Sequence, residues 1–230
     1  NSITANPTAL CGAGPISLTV NGGTLGTNAD WVWYNGDPNA TGVQIGPGSP
    51  LVVNLTNTSN IFVRAEGNCS NTNTANALIV VENPSSAPTT ITPSLNTICV
   101  GSNVNLTASG GVMGTGALYT WYDTDPTIGL PAPLFSSTSV NYTGVTPLIT
   151  TTYYVRLEGC DTTATASTTI TVNTLSSDPS GINSSNAQVC SGTNVALSVT
   201  GGNLGTGADW YWYQGGCGAG APIGNGLNIN

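Results

Sequence analysis

A block of residues that recurs three times along the chain constrains its fold more than any other feature of the sequence. The block reads CGAGPISLTVNGGTLGTNADWVWY at 11–34, CVGSNVNLTASGGVMGTGALYTWY at 99–122 and CSGTNVALSVTGGNLGTGADWYWY at 190–213. Its first cysteine steps by 88 residues and then by 91. A second block recurs as IFVRAEGNC at 61–69 and YYVRLEGC at 153–160. This period, slightly below the roughly 100 residues of an immunoglobulin-like sandwich, indicates tandem domains.

Short strands are the elements that each repeat predicts. The segments ISLTV, VNLTA and VALSV alternate apolar and polar residues, which is typical of half-buried strands. Gly-Gly pairs follow them and predict turns. Because no segment has helix-length periodicity, we predict an all-β protein built of tandem immunoglobulin-like β-sandwich repeats.

The repeat also predicts domain boundaries. A first repeat covers residues 1–83, a second repeat with its linker covers 84–174, and a partial third repeat with its linker covers 175–230. The linkers, at 83–90 and 174–181, are rich in Pro and Ser, and we expect them to be extended and semi-rigid. The third repeat lacks a match to the second block. This indicates either a window on a longer chain or a sandwich that a neighbouring chain completes.

The charge of the chain excludes two classes of partner. The sequence has 10 acidic residues but only 2 cations, Arg64 and Arg156, for a formal net charge of −8. A protein that binds nucleic acid or an anionic membrane needs clustered cationic residues, so neither is a predicted partner. No apolar run approaches the roughly 18 residues of a membrane span, so direct membrane insertion is not predicted either. A polar surface with so few charges favours an extracellular location.

Catalytic side chains are scarce in this sequence. It has no His and no Lys, so the usual triads and zinc hydrolysis lack their parts, and we predict neither a cofactor nor a metal. A carboxylate pair can act without His, and Asp123 with Asp125 is one such pair. The turn-rich DTDPT segment around these residues favours a role in a turn instead. We therefore predict that the chain is not an enzyme.

The repeated motifs resemble a known family. The pattern IC-x-G-x-x-V-x-L-T, followed by GG-x-(L/M)-G-T-G-A, W-x-WY and TTYYVR-x-EG-x-C, is similar to the Ig-like repeats of giant secreted surface proteins of Bacteroidetes. These include gliding-motility adhesins exported by type IX secretion. The resemblance covers essentially the whole chain and implies an extracellular, repetitive stalk or adhesin. The triplet at 161–163 also resembles the O-glycosylation motif of these bacteria, which makes Thr162 a candidate acceptor.

Six cysteines in a chain of this composition predict disulfides in an oxidising compartment. Each complete repeat has two, and the simplest pairing lies within the repeats, as Cys11–Cys69 and Cys99–Cys160. In a standard immunoglobulin topology, however, the two turns involved lie at opposite ends of the sandwich. Stacking of the repeats would then pair Cys11 with Cys160 of the next repeat.

The third repeat has a different cysteine pattern. Cys190 matches the first cysteine of the other repeats, whereas Cys217 has no counterpart in them. Similar repeats often carry a second pair, so we expect Cys217 to pair beyond Asn230, with a Cys190–Cys217 bond as the alternative. No CxxC spacing and no His accompany the cysteines, so metal binding is not predicted.

Two sets of aromatic residues occupy equivalent positions in the repeats. One set is predicted to pack in the core, as the buried Trp of immunoglobulin domains does: Trp33, Trp121 and Trp212. The next residue of each repeat points to the other face of the strand: Tyr34, Tyr122 and Tyr213. Exposed, these tyrosines would suit the stacking of sugar rings, and covered by a neighbouring strand or repeat they would be structural.

The two cations occupy equivalent positions, each two residues before a glutamate. Residues at i and i+2 share one face of a strand. Arg64 with Glu66, and Arg156 with Glu158, are therefore predicted to be structural ion pairs, with a repeated ligand-binding pair as the alternative.

These observations favour a structural function. We expect an extracellular stalk or filament of a large cell-surface adhesin, whose partners are neighbouring repeats of the same chain. One alternative is a carbohydrate-binding module that contacts surface glycans through the sheet-face tyrosines. The other is a fibre subunit whose last sandwich takes a donor strand from another filament chain.

Overall fold

Strands are the only regular elements of the protein. A computed structural model describes residues 1–230, and its strands fall into three groups that follow the sequence repeats. The structure contains no helix long and apolar enough to cross a membrane. The predicted all-β class with tandem immunoglobulin-like sandwiches is therefore confirmed.

The first repeat is a complete two-sheet sandwich. Its strands are β1 (Ser2–Asn6), β2 (Ala9–Cys11), β3 (Gly14–Asn21), β4 (Asp30–Asn35), β5 (Val43–Pro47), β6 (Leu51–Leu55), β7 (Ser59–Glu66) and β8 (Ala75–Glu82). One sheet has the order β1-β3-β6 and the other β2-β8-β7-β4-β5. Both sheets contribute to one buried cluster, so their inner faces pack together.

The N-terminal segment of this repeat is divided between the two sheets. Strand β1 runs antiparallel to β3, with Ile3 opposite Val20. Strand β2 instead runs parallel to β8, with Cys11 opposite Glu82. Because β8 is the last strand of the repeat, this pairing places Cys11 beside the point where the chain leaves the sandwich.

The alternation seen in the sequence explains the core. Ile16 and Leu18 of β3 point inwards and are buried, whereas the polar residues between and after them are only partly buried. Ile61 and Val63 of β7 lie on the facing sheet and are equally buried. Burial of each such side chain stabilises the fold by about 1.5–3 kcal/mol.

The second repeat has the same strand order as the first. Its strands are β9 (Thr90–Pro93), β10 (Thr97–Cys99), β11 (Val104–Ser109), β12 (Leu118–Tyr122), β13 (Phe135–Ser137), β14 (Asn141–Val145), β15 (Thr151–Glu158) and β16 (Ala166–Asn173). The sheets are β14-β11-β9 and β10-β16-β15-β12-β13. Strand β10 is again parallel to the last strand, with Cys99 opposite Asn173.

The third repeat begins with the same topology. Its strands are β17 (Gly181–Ser184), β18 (Leu197–Thr200), β19 (Tyr211–Trp212), β20 (Gly224–Asn225) and β21 (Asn228–Ile229). The pairings β17-β18-β21 and β19-β20 correspond to β1-β3-β6 and β4-β5 of the first repeat.

Backbone contacts divide the chain into two compact units. Unit 1 comprises Asn1–Ile91, Ala108–Val140 and Tyr154–Ala166, and unit 2 comprises Thr92–Thr107, Asn141–Tyr153 and Ser167–Asn230. Unit 1 holds the whole first sandwich, and unit 2 holds every strand of the third repeat. The domain boundaries expected from the repeats at residues 83 and 174 stay predictions.

Replacement of a core residue of the first sandwich tests this packing. Leu18 is fully buried and Val52 is 67% exposed on the neighbouring strand of the same sheet. We expect Leu18→Ala to lower the free energy of unfolding by about 2–5 kcal/mol, because it leaves a cavity. Val52→Ala is the matched control and should change it by less than about 0.5 kcal/mol. Urea unfolding followed by tryptophan fluorescence measures both, and equal effects would contradict the assigned faces.

Candidate functional site: the junction between repeats

The three equivalent tryptophans lie in the cores of their repeats. Trp33 and Trp121 are fully buried, and Trp212 is nearly so. The indole Nε1 of Trp33 donates a hydrogen bond to the carbonyl of Gly48 at 2.6 Å, and that of Trp212 donates to the carbonyl of Gly226 at 2.9 Å. The single polar atom of each of these two rings is thereby satisfied inside apolar surroundings.

A tyrosine, an arginine and a glutamate meet on the opposite face of the same sheet. Strands β4 and β7 pair antiparallel with Val32 opposite Arg64, so Tyr34 is the diagonal neighbour of Arg64 on that face. The Arg64 Nε donates to Glu66 Oε1 at 2.6 Å, and the Tyr34 hydroxyl donates to the same oxygen. The guanidinium carbon lies 5.4 Å from the centre of the Tyr34 ring, which is a cation–π distance.

The second repeat reproduces this triad. Arg156 Nε donates to Glu158 Oε1 at 2.6 Å, and the Tyr122 hydroxyl donates to that oxygen at 2.5 Å. The guanidinium carbon of Arg156 is 5.3 Å from the centre of the Tyr122 ring. The two sets of residues therefore form the intra-strand ion pairs that their spacing suggests, with a tyrosine added to each.

The expected sugar-binding face is not formed by the first two tyrosines. Tyr34 is 8% exposed and Tyr122 is 3% exposed, and each shares its carboxylate with an arginine. Loop residues also reach this face, since Arg64 Nη1 donates to Asn39 Oδ1 at 3.1 Å. The assignment of Tyr34 and Tyr122 to a ligand face is therefore wrong, because their rings are covered. Tyr213 is half-buried.

The protonation states of the first triad fit a structural role. The hydrogen bond from the Tyr34 hydroxyl holds the pKa of Glu66 below its ordinary value, and Arg64 adds to this effect. Burial, together with the hydrogen bond to Glu66, raises the pKa of Tyr34. At neutral pH the carboxylate is therefore ionised and the phenol is neutral, which is the arrangement that a donating hydroxyl requires.

The disulfide of the structure joins two repeats instead of closing one. Cys11 of the first repeat is bonded to Cys160 of the second, across a sequence separation of 149 residues and with 5.5 Å between the Cα atoms. Cys69 and Cys99 are free and exposed, as are Cys190 and Cys217. The expected Cys11–Cys69 and Cys99–Cys160 pairs are therefore wrong, and so is the alternative Cys190–Cys217 bond.

Strand directions explain why the pairing within the first repeat fails. Cys11 lies opposite Glu82 at the end of β8, whereas Cys69 follows the end of β7. These two strands run antiparallel, so their final residues lie at opposite ends of the sheet. A strand of this length spans about 26 Å, far more than the roughly 7 Å that a disulfide bridges between Cα atoms.

The segment that leaves the first repeat is hydrogen-bonded to a loop of the second. We call residues 83–89 and 174–180 the exit segments, and residues 110–115 and 201–206 the docking loops. In unit 1, Asn83 N donates to Thr115 Oγ1 at 3.0 Å, and Thr115 N donates back to the Asn83 carbonyl at 2.8 Å. Gly114 N donates to Ser85 Oγ at 3.1 Å. Ser86 and Val112 then exchange backbone hydrogen bonds, so the exit segment is bound along its length.

The carboxylate of Asp161 completes this junction. Both of its oxygens accept from Ser85 N, at 3.0 and 3.2 Å. Asp161 directly follows the disulfide-bonded Cys160, so the covalent bond and this hydrogen bond hold the same short stretch of chain. The two sulfurs and a carboxylate oxygen lie within 4.8 Å of one another. Disulfide sulfurs are not thiolates, so these atoms do not form a metal site.

Unit 2 repeats the same docking pattern. Thr174 N donates to Thr206 Oγ1 at 3.0 Å, and Thr206 N donates back to the Thr174 carbonyl at 3.2 Å. Gly205 N donates to Ser176 Oγ at 2.9 Å, as Gly114 does to its serine. The exit segments share the pattern S-S-x-P, and each docking loop ends in G-T. These two recurring patterns are partners.

The sequence predicts linkers at the exit segments and turns at the Gly-Gly pairs of the docking loops, but it does not predict that the two bind each other. The missed signal is a glycine that no turn requires. A Cβ added to Gly114 would lie 2.2 Å from the Asn83 carbonyl oxygen, and one added to Gly205 would lie 2.4 Å from that of Thr174. Real Cβ atoms do not approach oxygen so closely, so the glycine serves the approach of the exit segment.

Two other candidates have simpler surroundings. Asp125 accepts hydrogen bonds from the backbone and hydroxyl of Thr127, at 2.9 and 2.7 Å, which is the turn role favoured by its sequence. Thr162 is exposed, and its glycosylation stays a prediction.

One family model and several solved structures are similar to parts of this chain. Residues 86–173 match the family model described as Ig-like domain CHU_C associated. None of the curated proteins compared with the chain matches it. Murine CEACAM1b is similar at 14% identity and a TM-score of 0.49, over 76% of this chain and 99% of that chain. An E-to-A variant of titin domains I67–I69 is similar at 12% identity and a TM-score of 0.49, over 90% and 75%. The family model alone identifies residues 86–173, the second repeat, as an Ig-like domain, and the matched family is not a catalytic one.

The first triad makes stability depend on pH. The folded-state pKa of Glu66 lies below its ordinary value of 4.5, so its contribution is present above that pH and is lost as pH falls through the folded pKa. We expect Glu66→Gln to lower the free energy of unfolding by about 1 kcal/mol at pH 7, since the pair is partly exposed. The difference should shrink in acid. Unfolding of wild type, Tyr34→Phe, Glu66→Gln and the double variant at pH 7 and pH 3 measures this. A coupling free energy between Tyr34→Phe and Glu66→Gln that is the same at pH 3 as at pH 7 would contradict the assigned hydrogen bond from Tyr34 to the ionised Glu66.

The connectivity of the cysteines can be checked directly. We expect non-reducing peptide mapping to find one peptide pair joined through Cys11 and Cys160, with Cys69 alkylated. Cys11→Ser should free exactly one additional thiol, on Cys160, and Cys99→Ser should free none. A peptide joined through Cys11 and Cys69 would contradict the strand directions.

Proposed function

We propose that the chain is a tension-carrying spacer of a secreted cell-surface protein, a segment of the stalk or filament of a large adhesin. The observation that carries this proposal is the Cys11–Cys160 bond. A domain that only needs stability gains it from a disulfide of its own. A bond between successive repeats instead serves a chain that must not separate at its junctions.

The position of the bond determines how tension passes through the chain. Force applied to the N-terminus reaches Cys11 after ten residues and crosses to Cys160 through the sulfur atoms. The 149-residue path between them, which includes β3 to β8 of the first sandwich, then carries no tension. A bond between Cys11 and Cys69 would have protected the first repeat alone.

The docked exit segments support the same proposal. Undocked semi-rigid linkers would still allow successive domains some reorientation. In this structure the exit segments instead have their backbone and hydroxyl groups bound to the docking loops. A spacer gains reach from such restriction, because a stiff chain extends further than a flexible one of equal length.

The chemistry of the chain supports an extracellular setting for this spacer. A structural disulfide persists in oxidising compartments and is rare in the cytosol. The sequence resembles repeats of type IX-secreted adhesins of Bacteroidetes, and we propose this cell-surface location for the chain. Its main partners are then neighbouring repeats, with glycans or other filament chains contacted elsewhere on the adhesin.

Single-molecule pulling of the chain from its two ends tests this function. We expect the oxidised protein to release less contour length than the reduced protein by about 500 Å, because the protected path is 149 residues at roughly 3.5 Å each. Cys11→Ser should behave as the reduced protein does under both conditions. Cys69→Ser is the matched control and should behave as wild type.

A short difference of roughly 200 Å would instead correspond to a bond within the first repeat. Equal contour lengths in the oxidised and reduced states would mean that the bond carries no tension. Either result would overturn the proposed function.

A further inference from the structure

We propose that the first repeat carries its own docking site, which binds the exit segment of another repeat of this type and is closed by a disulfide through Cys69. The site consists of the loop at residues 22–27 together with Cys69, and we call it the first docking site. This inference rests on the proposed function and names the partner that the first repeat takes.

The loop of the first docking site already has the docking conformation. Ala29 N donates to the Gly26 carbonyl at 3.2 Å, as Ala117 does to Gly114 at 3.3 Å and Ala208 does to Gly205 at 3.2 Å in the two docking loops. The motif is also the same, because Gly26 and Thr27 stand where those loops have their G-T pair. The groups that bind an exit segment elsewhere are therefore preformed in the first repeat.

Nothing within the first repeat requires residue 26 to be a glycine. A Cβ added to it would have nothing within 4 Å, and its backbone is not in the left-handed region that favours glycine. The equivalent Gly114 and Gly205 are both pressed against a carbonyl of an exit segment. The close approach that explains those two glycines explains Gly26 only when an exit segment lies against it.

A cleft marks the place that the exit segment would take. It has a volume of 280 Å³, and its lining includes Gly26, Thr27, Gly67 and Cys69. Cys69 and Cys160 are equivalent, because each lies three residues before a threonine that binds the end of β7 or β15. Thr72 accepts from Ala65 N through its hydroxyl and donates its own N–H to the Ala65 carbonyl. Thr163 makes the same two hydrogen bonds with Leu157. Cys69 is exposed and free.

The occupant is identified by the two exit segments already docked. Its backbone must offer an N–H and a carbonyl to Thr27, and two residues later a serine hydroxyl must accept from Gly26 N, as happens at Gly114 and Gly205. A cysteine opposite the end of its last strand, as Cys11 is opposite Glu82, supplies the second thiol. Ser70 follows Cys69 where Asp161 follows Cys160, so a hydroxyl replaces the carboxylate at this junction.

The covalent step is an oxidation of two thiols. Their sulfurs form one bond and release two protons, and the two electrons pass to a small-molecule disulfide such as oxidised glutathione, which becomes two thiols.

Two extended forms of the full chain test this inference. In the first, residues 1–88 are added ahead of Asn1, so that an exit segment and a cysteine precede the first docking site in the register of the second repeat. After refolding in a glutathione buffer, we expect peptide mapping to join Cys11 of the added copy to the original Cys69. The reactivity of that Cys69 towards a thiol reagent should fall at least tenfold. Gly26→Ala in this form should abolish the linkage.

The second form adds only residues 83–88 ahead of Asn1, so it does not depend on the folding of an added repeat. We expect hydrogen exchange of the Thr27 amide to slow at least tenfold relative to the unextended chain. Gly26→Ala should restore fast exchange. In the unextended chain, Gly26→Ala should leave the unfolding midpoint unchanged, whereas Gly114→Ala should lower it.

Unchanged exchange at Thr27 in the second form would overturn the inference. So would an original Cys69 that stays free, pairs within its own repeat or joins a second molecule, in a sample where Cys11–Cys160 has formed. Such a sample would leave the proposed function intact. Loss of the Cys11–Cys160 bond would instead count against the proposed function.

Discussion

The parallel pairing of β2 with β8 is the constraint on which the junction depends. It places the first cysteine of the repeat beside the last residue of its last strand, so the thiol and the departing backbone leave the sandwich together. The exit segment then binds the docking loop, and the thiol meets Cys160 one residue away from the carboxylate that accepts from Ser85. If the N-terminal segment did not pass from β1 in one sheet to β2 in the other, the Cys11 thiol and the exit segment would not lie at the same end of the sandwich.

Charged side chains are scarce in this chain, and both of its cations have the same structural use. Both cations of the chain are used in the triads, where each arginine is held by a glutamate and stacked near a tyrosine ring. These groups lie on the outer face of the sheet, whose inner face holds the core tryptophan. The junctions use hydroxyls and backbone groups for most of their hydrogen bonds, and the first junction adds the carboxylate of Asp161.

The sequence was sufficient for the fold but not for the junction. The recurring Trp33 and Trp121 and the alternation in β3 predict strands and a core, because side chains two residues apart on a strand point to the same face of the sheet. The pairing of Cys11 depends on the relative directions of strands β7 and β8, and the alternation of residues along one strand does not determine these. The cysteine nearest in sequence, Cys69, was therefore the wrong partner. The role of Gly114 was missed, since a glycine required by a distant carbonyl looks the same in sequence as one required by its own backbone.

The long span of the Cys11–Cys160 bond also orders the maturation of the protein. As the chain emerges from its N-terminus, Cys11 must wait until 149 further residues have followed and the late strand of the second repeat has formed. Folding of the first sandwich meanwhile holds Cys11 and Cys69 at opposite ends and so protects against the premature bond. Formation of the Cys11–Cys160 bond therefore follows the folding of the first sandwich and requires that β15 of the second repeat is in place.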